Sequence, residues 1–328
     1  MSLKRELEFA VAAVTKACRL CEAVRAEIDP ANVITKGDQS PVTVADYGAQ
    51  AVVSRELRAA FPDALLVAEE DTGDLCAPER AALRAKVTAH VHRILPDMRE
   101  TETVAAIAAG DYAGGATGRF WTLDPIDGTK GFLRGGQYAV ALALIEDGQV
   151  ILGVLGCPRL PYVATAPDTT RGCLFVAVRG EGARQSKLGG ATETSIRVNE
   201  IDDPAQAAFC ESVEAGHSSH DESAQIAANL GVVALPVRMD SQCKYAAVAR
   251  GDAAIYLRLP TRADYQEKIW DHAAGLLVIE EAGGKVTDTR GQALDFSHGR
   301  TLATNVGVVA TNGKLHARVL EAVSAVLA

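Results

Sequence analysis

The sequence predicts a chain of mixed class, α+β in its antiparallel-rich first part and α/β in its second. Three observations predict it. Apolar residues at Leu7, Val11, Val14, Cys18 and Cys21 recur at alternating spacings of four and three, the mark of an amphipathic helix. Apolar runs flank Glu146-Asp147-Gly148-Gln149 and Arg179-Gly180-Glu181-Gly182, which reads as two β-hairpins. Past about residue 200, short apolar runs alternate with helical patterns.

Taken in order, the opening stripe predicts a long helix over 4–28, ended by Pro30. A loop through Gly37, Ser40 and Pro41 leads to Asp46, and a second helix runs from there to about Ala60, closed by Phe61-Pro62. Residues 64–68 read as a short buried strand that delivers Glu69 and Glu70 at its end, and 77–94 as a helix. Residues 120–123 read as a strand that presents Asp124 at its end. The hairpins occupy 138–145 with 150–156 and 173–178 with 183–186. Beyond them, 207–212, 253–259 and 306–310 read as strands, and 221–230, 244–250, 271–283 and 313–327 as helices. No repeat, low-complexity segment or Pro/Ser linker interrupts the chain, so two lobes sharing an interface are expected, divided as 1–157 and 158–328.

The 328 residues are 48% apolar and 23% charged, the composition of an ordinary globular protein with a sizeable core. A formal net charge of −9 argues against a nucleic-acid polymer or an anionic membrane as partner. It permits an anionic small substrate, because a local group of cations and a bound divalent ion reverse the field inside one cleft. No run approaches the ~18 apolar residues of a membrane span. Met1-Ser2-Leu3 leads directly into charged residues without an apolar leader, and the seven cysteines are odd in number; the expected location is the reducing cytoplasm. Cys18 and Cys21 form a C-x-x-C, but both fall on the apolar stripe and read as core residues.

The run Asp124-Pro125-Ile126-Asp127-Gly128-Thr129 places two carboxylates three residues apart around a proline, before the start of a helix. That order suits a divalent-metal site that also holds a phosphate: hard cations take carboxylate oxygens, and the first N–H groups of a helix point at an anion. An Asx turn between a strand and a helix is the plain alternative. Further acids stand at element ends: Asp46, Glu69, Glu70 and Asp271. With no His/Cys cluster beside them, they favour Mg²⁺ or Mn²⁺ over zinc. Asp271 is also a good N-cap for the helix it precedes. Cys243, beside Lys244, reads as a packed residue, with an oxidant-sensitive thiol as the competing reading.

Glu69-Glu70, Asp124-Pro125-Ile126-Asp127-Gly128-Thr129 and Trp270-Asp271, with Gly283-Gly284 downstream, resemble the motif set of the lithium-sensitive inositol monophosphatase superfamily. Further runs resemble its 3′(2′),5′-bisphosphate nucleotidase branch: residues 36–46, Glu211-Ser212-Val213-Glu214 with His217-Ser218-Ser219-His220, Asp240-Ser241-Gln242-Cys243-Lys244-Tyr245, Tyr256-Leu257-Arg258-Leu259-Pro260 and residues 265–275. Ala68 stands where many relatives carry glycine.

The resemblance implies a layered αβαβα sandwich and two to three Mg²⁺ per site, with Mn²⁺ a substitute and Li⁺ and Ca²⁺ inhibitory. Glu69, Asp124 and the Ile126 carbonyl would hold one ion, and Asp124, Asp127 and Asp271 a second, with Glu69 reaching a third. Asp46 and Thr129 would activate the attacking water, with Glu70 counted among the catalytic residues. Gly128 and Thr129 would hold the scissile phosphate; His217, Ser241, Lys244, Arg258 and Asp271 would receive the rest of the substrate. The implied reaction is hydrolysis of adenosine 3′,5′-bisphosphate to AMP and phosphate, with the 2′,5′ isomer and 3′-phosphoadenylyl sulfate as further substrates and a role in clearing a by-product of sulfate activation. The implied partner is thus a small nucleotide bisphosphate, and the implied assembly a monomer or homodimer. The alternatives are an inositol mono- or 1,4-bisphosphate phosphatase and a non-catalytic nucleotide or metal sensor.

Overall fold

The computed structural model describes residues 3–27, 33–35, 41–166, 170–213, 220–262 and 264–327. Helix α1 (Lys4–Ala26) is followed by a ribbon of β1 (Val33–Thr35) and β2 (Pro41–Thr43), helix α2 (Val44–Ala60) and strand β3 (Leu66–Ala68). Helices α3 (Ala81–Ile94) and α4 (Glu100–Ala108) precede β4 (Arg119–Asp127) and the short helix α5 (Thr129–Leu133). A meander follows: β5 (Ala139–Glu146), β6 (Gln149–Pro161), β7 (Arg171–Val178), β8 (Gly182–Lys187) and β9 (Glu193–Ser195). The remainder is β10 (Phe209–Glu211), α6 (His220–Asn229), β11 (Val237–Arg238), α7 (Cys243–Ala249), β12 (Ile255–Arg258), α8 (Ala273–Glu281), β13 (Lys285–Thr287), β14 (Val308–Thr311) and α9 (His316–Leu327).

Two sheets carry the fold. The larger has the order β3-β4-β5-β6-β7-β8-β9, antiparallel except for the parallel pair β3–β4. The smaller has the order β11-β10-β12-β14-β13, with parallel and antiparallel pairs mixed. Helices α1 and α2 cover one face of the large sheet, α7 and α8 lie between the two sheets, and α6 and α9 cover the far face of the small one. Three apolar clusters fill the spaces between these five layers.

Strand β5 shows how the sequence allows this. Val140, Leu142 and Leu144 join the cluster beneath α1 and α2, while Ala139, Ala141 and Ala143 join the one beneath α7 and α8. Period-two alternation thus sends large residues to one face and, up to Ile145 at the strand's end, alanines to the other. The small face admits α8 closely; a Cβ on Gly153 in the neighbouring strand would lie 2.9 Å from the Ala274 carbonyl oxygen.

The hairpin at Asp147-Gly148 has positive φ at both central residues (47° and 75°), the two-residue turn that suits twisted strands. Helix α4 has no counterpart among the predicted elements; its first turn is closed by the Glu102 carboxylate, which accepts the Arg99 N–H at 3.2 Å. The lobe boundary expected after residue 157 falls inside β6, and the sheet runs on to Ser195. Cys18, Cys21 and Cys243 are fully buried, and burial pushes the Cys18 and Cys21 thiols up, as core residues require.

His316, at the start of α9, is buried between Thr287 and Thr311. Thr287 Oγ1 donates to the Asp288 carbonyl, so it accepts from His316 Nε2, and Nδ1 accepts from the Thr311 hydroxyl. That network holds the neutral ring. Burial and the nearby Lys285 charge lower its pKa to about 4. The unfolded chain therefore binds a proton from about pH 6.5 downward that the folded chain refuses, and stability falls as pH drops from 6.5 towards 4. His316→Gln is expected to flatten the dependence of Tm on pH in that window. An unchanged slope would assign the acid sensitivity to another group.

Candidate active site

In a regular strand, residues three apart point to opposite faces. Asp124 and Asp127 escape this rule because β4 is bulged. Asp124 pairs with Ala141 and Asp127 with Ala139, so three steps on β4 oppose two on β5. The extra residue restores the parity, and Pro125, which has no N–H to give the ladder, sits in the bulge. The strand thus runs through the motif rather than ending at Asp124. Gly128 then turns in the left-handed region (φ 87°) and caps α5, with Thr129 its first residue.

Asp46, in the first turn of α2, is 1% exposed and accepts the Thr129 hydroxyl at Oδ1, 3.2 Å away. The same hydroxyl lies 3.2 Å from the Ile126 carbonyl oxygen. Glu69 and Glu70 follow β3, the first half-buried and the second buried. Their backbone is fixed by Gln50 of α2: its amide donates to the Glu70 carbonyl at 2.7 Å and accepts the Glu70 N–H at 3.0 Å. Asp124 is buried among these acids. Burial first, then the charges of Glu69, Asp127, Asp271 and Asp46, push its carboxyl well above the usual range. Its Oδ1 is buried without a protein hydrogen-bond partner. A buried carboxylate oxygen with no protein donor, under the charges of four further acids, fits a bound hard cation.

The other wall comes from the small sheet and the helices between the sheets. Ser241 has φ 68°, and a Cβ on Gly128 would approach its Cβ to 3.0 Å, so the two walls meet at this glycine. Gln242 joins three parts of the site: its N–H donates to Asp127 Oδ2 at 2.5 Å, its amide donates to the Trp270 carbonyl at 2.9 Å and accepts the Gly275 N–H at 3.0 Å. Lys244 is buried, with Nζ 3.3 Å from the Met239 carbonyl and 5.2 Å from the centre of the Tyr256 ring. Burial lowers its pKa, and the Asp127 charge opposes that shift.

Arg258 is held more firmly than a free phosphate-binding cation. Its Nε lies 2.7 Å from Glu267 Oε2 and its Nη2 3.4 Å from Asp271 Oδ2. His272 Nε2 contacts the same Glu267 oxygen at 3.0 Å, and Tyr245 Oη lies 2.7 Å from His272 Nδ1. Burial alone would raise the Glu267 pKa; Arg258 and His272 reverse this and hold it at about 2. Asp271 sits in a 3₁₀ turn (Ile269–Asp271), not at the N-cap of α8; His272 occupies the cap without a side-chain capping bond. Freed from capping, the Asp271 carboxyl faces Asp127, and burial first among its causes pushes its pKa up to about 7.

Asp127, Gly128, Ser241, Lys244, Arg258 and Asp271 line one open cleft, joined by Lys130, Ser212, Tyr256, Asp240 and Gln242. Asp46, Glu69 and Asp124 border it electrostatically through Asp124. His217 and the run 36–40 lie outside the described residues. Sequence reasoning missed Gln50, Gln242, Glu267 and His272 as site residues; their partners are 20 to 115 residues away or in buried side-chain networks without a local pattern. Among the described residues, one group of three potential ligands has all its atoms within 4.8 Å of one another: Glu267, Asp271 and His272. The Arg258 guanidinium already supplies the positive charge there. Two ions roughly 3.5–4 Å apart spread their ligands over a longer line than that.

No described helix is long and apolar enough to cross a membrane. The model of the inositol monophosphatase family matches residues 3–328, and the chain belongs to that family. Within it, the chain is similar to proteins named 3′(2′),5′-bisphosphate nucleotidase: 46% identical to that of Emericella nidulans (100% of this chain, 99% of the relative). The Oryza sativa protein is 47% identical (97% and 93%) and the Schizosaccharomyces pombe protein 44% (99% and 97%). Among solved structures, Thermotoga maritima IMPase matches with a TM-score of 0.68 at 24% identity (98% of each chain). The inositol monophosphatase of Anabaena matches at 0.62 and 20% (99% and 97%). These two share the layered fold.

Proposed function

We propose that this chain is a Mg²⁺-dependent phosphomonoester hydrolase that removes the 3′-phosphate of adenosine 3′,5′-bisphosphate, giving AMP and phosphate. The 2′,5′ isomer and 3′-phosphoadenylyl sulfate are further substrates in this reading. The carrying observation is that one cleft pairs Asp127 and Asp271, whose charges act on the buried Asp124, with a cationic wall of Lys244 and Arg258. A monophosphate needs the first alone; a substrate with two phosphates uses both. The names of relatives 42–47% identical support the substrate.

Glu69, Asp124 and the Ile126 carbonyl would hold one ion, and Asp124, Asp127 and Asp271 a second. Bound there, the ions supply neutralisation of the phosphate's charge and a lowered pKa for water. Asp46 and Thr129 handle the proton. As water attacks phosphorus, its proton passes to Thr129 Oγ1 while the hydroxyl proton moves to Asp46 Oδ1, along the 3.2 Å hydrogen bond already present. The bond from phosphorus to the 3′-oxygen breaks with its electron pair going to that oxygen, which takes a proton from solvent water and leaves as the hydroxyl of AMP. Gly128 and Thr129 hold the phosphate oxygens with their N–H groups, and Lys244 and Arg258 hold the 5′-phosphate.

The test is identification of AMP and inorganic phosphate as products by ³¹P NMR with Mg²⁺, and their disappearance in EDTA. Release unaffected by EDTA would overturn the metal assignment. Thr129→Ala is expected to lower kcat by about 10²-fold while Mn²⁺ affinity stays within about threefold. Loss of Mn²⁺ binding instead would move Thr129 from proton transfer to the metal shell.

A further inference from the structure

Arg300 lies outside every motif singled out above, yet its contacts reach the residue before Glu69 and the residue before Asp271. Nη2 donates to the Ala68 carbonyl, and Nη1 to those of Gly110 and Tyr112 at 3.3 and 3.1 Å. Its guanidinium lies 4.9 Å from the centre of the Trp270 ring. Its own carbonyl accepts the Ile269 N–H at 3.2 Å, Lys268 and Thr301 form an antiparallel bridge, and the Leu302 N–H donates to the Glu267 carbonyl at 2.8 Å. Residues 300–302 therefore form a strap against the segment that carries Asp271, while the Arg300 side chain crosses to the end of β3.

Strand β3 needs such support. It has three residues, stands at the edge of the large sheet and carries Glu69 and Glu70 at its end. The guanidinium fork binds several carbonyls in fixed geometry, which a lysine ammonium cannot do. We propose that Arg300 is a positioning residue that sets the distance between Glu69 and Asp271, and so between the two metal positions. This rests on the metal-dependent reading above.

The test is Mn²⁺ binding to the whole protein, by electron paramagnetic resonance and calorimetry without substrate, in the parent, Arg300→Met and Arg300→Lys. Arg300→Met is expected to weaken the second Mn²⁺ equivalent by about tenfold and to raise the Mg²⁺ concentration for half-maximal activity by a similar factor. At saturating Mg²⁺, KM for adenosine 3′,5′-bisphosphate should change less than twofold, because Lys244 and Arg258 are untouched. Arg300→Lys should fall between parent and Arg300→Met, and it carries the test if Arg300→Met does not fold. A purely structural role would lower Tm while leaving Mn²⁺ affinity per folded molecule within twofold of the parent, and would overturn the inference. A parent that binds fewer than two Mn²⁺ would overturn the metal reading and this inference with it, a failure distinct from two tight sites in all three proteins.

Discussion

Asp124→Asn is expected to abolish phosphate release, by about 10³-fold or more, and to raise the melting temperature of the protein in EDTA. The two effects have one cause. Asp124 is 2% exposed, its Oδ1 has no hydrogen-bond partner, and four other acids act on it. Without a cation, that arrangement costs stability, because a desolvated carboxylate among like charges has nothing to offset it. The amide removes the charge at the same shape, and a gain of about 1 kcal/mol would lift Tm by about 1–2 °C in a chain of 328 residues. In the enzyme at work the same charge would serve both ions, and its loss removes the shared ligand; 10³-fold corresponds to about 4 kcal/mol of transition-state stabilisation. Activity assays with Mg²⁺ and thermal scans in EDTA check the two halves. Retention of more than a few per cent of turnover, or a lower Tm, contradicts the assignment.

The second large effect belongs to Arg258→Ala. It is expected to raise KM for adenosine 3′,5′-bisphosphate by about 30-fold or more, with a much smaller change for a nucleoside monophosphate. It is also expected to cost about 3–5 kcal/mol of stability, because Glu267, 4% exposed, loses the guanidinium 2.7 Å away. The double variant Arg258→Ala/Glu267→Gln separates the roles. Neutralising Glu267 should recover most of the stability but none of the affinity for the second phosphate. Equal KM changes for both substrates would mean that Arg258 holds Glu267 and Asp271 in place and does not read the second phosphate.

The layers of the fold were legible because local patterns carry them: the 4/3 stripe of α1, the Asp147-Gly148 turn and the apolar runs of β5 and β6. The division into lobes at residue 157 was not, because the meander from β5 to β9 continues past it with no change of texture. Helix α4 escaped because its nine residues lack a Ser, Thr, Asp or Asn at the cap, where Arg99 stands instead. Asp124, Asp127 and Thr129 stand out as candidates from one hexapeptide, but the bulge that brings Asp124 and Asp127 to one face of β4 was not legible. That depends on a register shift against β5, which only the paired strand reveals. The same holds for Asp271, whose good N-cap pattern is overridden by a 3₁₀ turn, and for Arg258, whose partners Glu267 and Asp271 lie beyond the next loop.

The central claim is that the cleft joins a metal-dependent hydrolytic centre to a site for a second phosphate. The most direct test is Mg²⁺-dependent phosphate release from adenosine 3′,5′-bisphosphate and inositol 1-phosphate side by side, each with and without Li⁺. The account predicts strong preference for the nucleotide, measured as kcat/KM, with inhibition by Li⁺. Preference for inositol 1-phosphate would contradict the roles given to Ser241, Lys244 and Arg258, and release from neither substrate would contradict the enzymatic reading itself.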